Sequence, residues 1–243
     1  MNMLTLSDIA YRYPDAAKPV LTGFSLRLEA GRVRGLLGSN GAGKSTVLGL
    51  AAGWLKPDCG RRACAVQTAW LPQAERLSFA FTCLEYVLFG RAPHLPYLAV
   101  PQGDDEAAAL IALERAGMAN KADRRITTLS GGELQLVRLA RCIAQQAPVL
   151  LLDEPTDMLD PAHVVQVADI IRQLAGDGCA VLLTTHDIHF ALACADDASL
   201  LRDGSSLADG PAAAVLDCAN LERAYGVPFR QQPVPTPCLP GRT

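Results

Sequence analysis

The chain has 243 residues, half of them hydrophobic and few aromatic, and a net charge of −3. That length carries one sizeable core, or a core with a subdomain, and the composition fits a folded α/β protein and excludes a disordered one. The near-neutral balance, with lysine only at positions 18, 44, 56 and 121, excludes a nucleic-acid-binding surface and a polybasic membrane anchor.

The opening stretch "MLTLSDIAYRY" alternates and reads as a strand. "VLTGFSLRLEAG" alternates again, with Phe24, Leu26 and Leu28 on one face, so the two are expected to pair antiparallel. "RVRGLL" is a short apolar strand, and "GSNGAGKSTVLGLAAGWL" is a glycine-rich turn opening a helix. "AVQTAWLPQ" is a further strand. From about residue 82 the pattern becomes helical: "CLEYVLFGRA" and "DEAAALIALERAGM" flank the Pro-rich connector "PHLPYLAVPQG", and a helix over 133–146 follows. Then strand "VLLLD", helix "PAHVVQVADIIRQLAGDG", strand "AVLLTTHD", helix "IHFALACADD" and strand "ASLLRDG" alternate, which predicts a mostly parallel sheet.

No apolar run approaches the ~20 residues of a membrane span, and the N-terminus lacks the blocks of a signal peptide. A cytoplasmic location is expected. The eight cysteines form no CxxC pair and read as reduced, structural thiols.

Two short segments carry chemistry. Gly38, Ser39, Asn40, Gly41, Ala42, Gly43, Lys44, Ser45 and Thr46 satisfy G-x-x-x-x-G-K-[ST] between a strand and a helix, the context in which such a loop cradles phosphates. Backbone amides and the helix N-terminus supply positive charge, Lys44 reaches the β- and γ-phosphates, and Ser45 can ligate Mg²⁺. Asp153 and Glu154 end the strand "VLLLD", and ligands collect at the carboxyl ends of parallel strands. Asp153 suits a metal role there, and Glu154 suits activation of an attacking water.

Leu129-Ser130-Gly131-Gly132-Glu133, just upstream of that strand, resembles the signature motif of ATP-binding cassette (ABC) ATPases. The family's other motifs follow in its order: Tyr13 as the adenine-stacking aromatic, Gln73 as the Q-loop glutamine, "DMLD" ending at Asp160 as the D-loop, and His186 as the switch histidine. The resemblance implies a P-loop α/β core with a mostly parallel sheet, an N-terminal antiparallel β subdomain and a helical subdomain inserted at about 82–145. The ATPase domain would span 1–230, with a Pro-rich tail over 231–243.

It also implies ATP and Mg²⁺ as ligands. Glu154, His186 and Gln73 would be catalytic, and Ser45, Gln73 and Asp153 would hold the metal. Ser130, Gly131, Gly132 and Asp160 would serve a nucleotide shared with a second copy, in a head-to-tail homodimer. Glutamate at position 133 stands where the family more often has glutamine.

Within the family, "CLEYVLFGRAPHL" and "LERAYGVPF" are similar to ATPases that serve importers of iron chelates, haem, cobalamin and related metal cargo. These work with integral membrane permeases and, indirectly, a periplasmic or surface substrate-binding protein. Residues 53–73 are short where most cassettes carry a further strand and a short helix, a compactness similar to molybdate-type importers. An exporter ATPase, a kind commonly fused to a membrane domain or carrying other insert sequences, and a soluble cassette acting on DNA repair or ribosomes are the competing readings; the sequence shows neither the long coiled-coil insert nor the second cassette of the latter. The junction "AERLSFAFT", with Leu77, Phe79 and Phe81 at alternate positions, is expected to lead into a groove for a permease helix. His94, His163 and His189 read as ordinary surface or satisfied histidines, and Arg138 and Arg141 as a solvated or acid-paired helix face.

Overall fold

Alternating leucines set the first sheet. In this computed structural model, which describes residues 1–75 and 79–231, β1 (Asn2–Tyr11) pairs antiparallel with β2 (Leu21–Glu29). Leu4, Leu6, Ile9, Phe24, Leu26 and Leu28 all turn to the buried side.

β3 (Val33–Gly38) leads through the glycine-rich loop into α1 (Lys44–Ala52), and Gly53 ends that helix in a left-handed conformation. β4 (Cys59–Cys64) then adds to the free edge of β1. The shortened 53–73 segment therefore contributes this further strand besides the one expected in "AVQTAWLPQ", although it has no helix. Its sequence "CGRRAC" lacks alternation because most of the strand is exposed.

The second sheet has the order β5-β6-β7-β3-β8-β9. β5 (Thr68–Leu71), β6 (Val149–Asp153), β7 (Ala180–Thr184), β3 and β8 (Asp197–Arg202) are parallel, and β9 (Ser205–Pro211) closes one edge antiparallel to β8. β6 and β7 are covered on both faces, which is why they read as unbroken apolar runs. Val149, Leu151, Ala180 and Leu182 pack with α1 and the first sheet; Leu150, Leu152, Val181 and Leu183 pack on the opposite side. α1 is thus held between the two sheets.

The other face is covered by α5 (Pro161–Gly176) and α6 (Ile188–Cys194); α7 (Ala212–Val215) and α8 (Cys218–Tyr225) follow β9. β9 and α7 went unread in the sequence, since "SSLADGPAAAV" carries no clear period.

Among the described residues, the regular elements between β5 and β6 are helical: α2 (Cys83–Leu88), a 3-10 segment over Phe89–His94, α3 (Gly103–Arg115), two short 3-10 turns at Ala119–Lys121 and Ile126–Thr128, and α4 (Gly131–Ala144). The expected helix "CLEYVLFGRA" gives way to 3-10 geometry after Leu88. Pro93, which has no amide to donate, sits inside that segment. Thr82 starts α2 with a reciprocal capping box to Glu85.

Polar ties fix this insert to the sheet. Gln135 Nε2 donates to the Pro155 carbonyl at 2.9 Å, and Arg138 donates to Gln135 Oε1 at 2.8 Å and to the Pro72 carbonyl. Arg141 Nη1 and the Tyr86 hydroxyl both donate to Glu75, at 3.0 and 2.6 Å. Arg138 and Arg141 are both acid-paired through Glu75, at 3.6 and 3.0 Å, and Arg138 is buried as well, so it does not lie on a solvated face.

The seven described cysteines are free thiols, and burial pushes Cys142 up to about 11. Cys238, Leu77 and the Pro-rich tail from residue 232 lie outside the described residues. Among the described residues, no helix is long and apolar enough to cross a membrane.

Candidate active site

Because β6, β7 and β3 are neighbours and parallel, the segments that follow them emerge side by side. They bound a cavity of 820 Å³. The glycine-rich loop forms its floor, with Gly38, Ser39, Asn40, Gly41, Gly43, Lys44, Ser45 and Thr46 all lining it. Ala42 is the exception among the expected loop residues: it turns inward and packs in the core.

The loop needs glycine at two points for different reasons. Gly38 has φ 150°, and a Cβ there would lie 2.5 Å from the Leu201 carbonyl oxygen. Gly43 has φ 106° and precedes α1 without any side-chain cap, so the first amides of the helix stay open toward the cavity. Lys44 Nζ donates to the Gly38 and Ser39 carbonyls at 2.8 and 3.2 Å. Burial lowers its pKa, opposed by the nearby charges of Glu154 and Asp153. A partly buried cation resting only on carbonyls of its own loop suits phosphate oxygens well.

The acids sit opposite. Asp153 and Glu154 are both buried. Thr184, at the end of β7, links them: its hydroxyl donates to Asp153 Oδ1 at 2.6 Å and accepts from the Glu154 amide at 2.9 Å. Glu154 has φ 49°, a left-handed conformation that non-glycine residues adopt at a cost of about 1–3 kcal/mol and that clusters at functional sites. His186, exposed at the end of the next strand, approaches Glu154 Oε2 with Nδ1 at 2.9 Å and its backbone amide at 3.2 Å. Both contacts fall on one carboxylate oxygen, so the other is left open.

Gln73 lines the cavity and donates to Asp157 Oδ2 at 3.3 Å. Tyr13 lies at its mouth, half-exposed, with its hydroxyl 3.2 Å from Thr46 Oγ1 and its ring edge-on to Tyr11. Oxygen donors from Ser45, Gln73 and Asp153 border the same space, a hard-donor set that fits Mg²⁺ beside phosphates.

Three lining residues had no role assigned from the sequence: Val20, Tyr225 and Asp157, the first residue of the "DMLD" segment. Tyr225 arrives from α8. Burial raises its pKa, and its hydroxyl is enclosed without a hydrogen-bond partner, although the Gly38 backbone lies close enough to hold that rise back.

The remaining expected residues are not brought to this cavity. Ser130 caps α4 in a reciprocal box with Glu133, and exposed Gly131 and half-buried Gly132 form the start of that helix. A hydrogen bond from the Lys121 ammonium, aided by the Ser130 amide, holds the Glu133 carboxyl down to about 2. Asp160 caps α5, accepting from the Ala162 and His163 amides at 2.9 and 3.1 Å. In one chain, then, the phosphate loop and acids form one site, and the signature turn stands apart from it.

Comparison with known proteins agrees with this geometry. The family described as "ABC transporter" matches residues 21–157. The chain is 42% identical to the hemin import ATP-binding protein HmuV of Bordetella avium over 232 residues, 87% of this chain and 88% of that one. It is 40% identical to the protein of the same name from Streptomyces coelicolor, over 90% of this chain and 82% of that one. A solved inward-facing structure of an ABC transporter assigned to the metal-chelate type superposes with a TM-score of 0.88 at 31% identity, covering 94% of this chain and 90% of that one. A dimeric cassette, MJ0796, shares the fold with a TM-score of 0.77 at 24% identity. With the phosphate loop, the strand-end acids and the signature turn in place, the chain belongs to the ABC transporter family, as an ATP-binding and ATP-hydrolysing member.

Proposed function

We propose that this chain powers an importer of hemin or a closely related metal chelate. The observation that carries the cargo is the 42% identity to a hemin import ATP-binding protein across 87% of the chain. The metal-chelate-type neighbour supports the same branch. Two copies pair head to tail on the cytoplasmic side of the membrane. They drive separate permease subunits, which a periplasmic or surface substrate-binding protein supplies.

Each residue's role follows from its place. Tyr13 offers a face to the adenine at the cavity mouth. Lys44 exchanges its two carbonyl contacts for the β- and γ-phosphates. Ser45, Gln73 and Asp153 would hold Mg²⁺, which neutralises phosphate charge when bound. Glu154 orients water with its open oxygen, in line with the γ-phosphate, while His186 fixes the other oxygen. Water adds to phosphorus as the bond to ADP breaks, and catalysis is mainly positioning and electrostatics. Ser130, Gly131, Gly132 and Asp160 face the nucleotide of the second copy. Met158, left-handed and 96% exposed between Glu154 and Asp160, suits a surface that another copy covers.

A second cleft of 410 Å³ separates the sheet from the insert, lined by Trp54, Trp70, Pro72, Glu75, Phe89 and Arg141. Pro72, which lines it, directly precedes Gln73 in the chain, and the lining residues Trp54 and Phe89 are exposed. Phe81 packs edge-on against Phe89, while Phe79 stays exposed. This cleft is the dock for a permease helix.

The test is ATP turnover by the chain reconstituted with its membrane subunits in proteoliposomes. Hemin-loaded binding protein should stimulate turnover above the apo form. Stimulation by an unrelated cargo, with none by hemin, would overturn the cargo assignment.

A further inference from the structure

His163, on the first turn of α5, read in the sequence as an ordinary histidine. In the structure it sits between two motifs. Its Nδ1 lies 2.7 Å from Asp160 Oδ2, while Asp160 Oδ1 is already engaged by the Ala162 and His163 amides. Both carboxylate oxygens are therefore used, and the imidazole is fixed in orientation. The ring faces Gly132: a Cβ built there would lie 2.6 Å from the ring Cγ and 2.7 Å from Cδ2 and Nδ1. The imidazole thus occupies the space a side chain at position 132 would need, and rests against the signature turn.

That turn is also held by the Ser130–Glu133 box, whose Glu133 carboxylate accepts from Lys121. Asp160 ends the segment that begins at the buried Glu154 and runs through exposed Met158. A chain of contacts, Asp160 to His163 to Gly132, joins that segment to the turn. We infer that His163 is a positioning residue: it holds the signature turn of its own chain in the orientation that receives the partner copy's ATP, and ties that orientation to the Asp160 segment. This rests on the shared-site reading above. A ring wedged against a glycine fixes backbone position.

The effect should appear in pairing and not in nucleotide binding by the single chain, because His163 does not line the ATP cavity. In a Glu154→Gln background, His163→Ala should leave ATP affinity of the monomer unchanged and weaken Mg-ATP-driven dimerisation about three- to tenfold, the effect of one well-placed contact. In the wild-type background, His163→Ala should lower turnover at low protein concentration and recover it at high concentration. A purely structural role lowers turnover equally at both. His163→Gln, which also removes the ring, replaces the alanine variant if thermal melts show that the latter is unfolded, and the same loss is expected. Dimerisation equal to that of Glu154→Gln alone, in a folded variant, would overturn the inference. A Glu154→Gln chain that stays monomeric would overturn the shared-site reading and the inference together.

Discussion

Glu154 Oε2 receives two contacts from His186, the ring Nδ1 at 2.9 Å and the backbone amide at 3.2 Å. One residue thereby fixes the orientation of the strand-end carboxylate from outside the strand that bears it. His186→Ala removes the ring contact and keeps the amide. Steady-state turnover should fall about a hundredfold, as when one preorganised group is lost, with ATP affinity nearly unchanged. Equal losses in affinity and turnover would place His186 in binding instead.

Lys44 is the cation of the phosphate loop and rests on two carbonyls of that loop. Lys44→Ala should reduce nucleotide binding and bring hydrolysis to background, a loss of at least about a hundredfold. The folded state should survive, since the side chain supports only its own loop. Phosphate release and a thermal melt measure both. Normal turnover in the folded variant would move the site elsewhere.

The local parts of this site were legible in the sequence. The phosphate loop is one continuous segment whose glycines are forced by backbone geometry, and the apolar strand ending in Asp153 and Glu154 announces a parallel strand's carboxyl end. Parts assembled from a distance were not. Tyr225 reaches the cavity because α8 packs back against β8 and β9, and no spacing encodes that. His163 matters through a contact with Gly132, 31 positions away in sequence. Arg138 read as a solvated or acid-paired charge on an amphipathic helix; it is paired with Glu75, but its burial against the Pro72 carbonyl comes from the packing of α4 on β5, which the sequence does not spell out.

Trp54 and Phe89 leave 72% and 50% of their surface exposed beside the cleft between sheet and insert. Large exposed aromatics at a cleft are strong anchors when a partner covers them. Phe89→Asp or Trp54→Asp should abolish stable co-purification with the permease while the isolated chain binds ATP normally. Phe79→Asp, also on an exposed ring, should act in the same direction. Intact co-purification and transport by folded variants would place the dock elsewhere.

Glu133 gives a pH signature. Lys121 and the Ser130 amide hold its carboxyl at about 2, below the ordinary 4.5. A folded-state pKa below the unfolded one adds stability that is fully present above about pH 4.5 and is lost as pH falls toward 2. Glu133→Gln keeps the capping geometry but cannot ionise. Denaturation midpoints of the two proteins should differ above pH 4.5 and converge below it. A constant difference across that window would contradict the assigned cause.

The central claim is that one chain holds two half-sites that meet only in a pair. Sedimentation of the Glu154→Gln chain with and without Mg-ATP tests it most directly, with the double variant Glu154→Gln, Ser130→Arg as the control. Mg-ATP should convert Glu154→Gln from monomer to dimer. The arginine, set where the partner's phosphate must lie, should keep the double variant monomeric although it still binds ATP. A dimer that forms equally well in the double variant would contradict the account, as would a Glu154→Gln chain that binds Mg-ATP and remains monomeric both alone and with its permease.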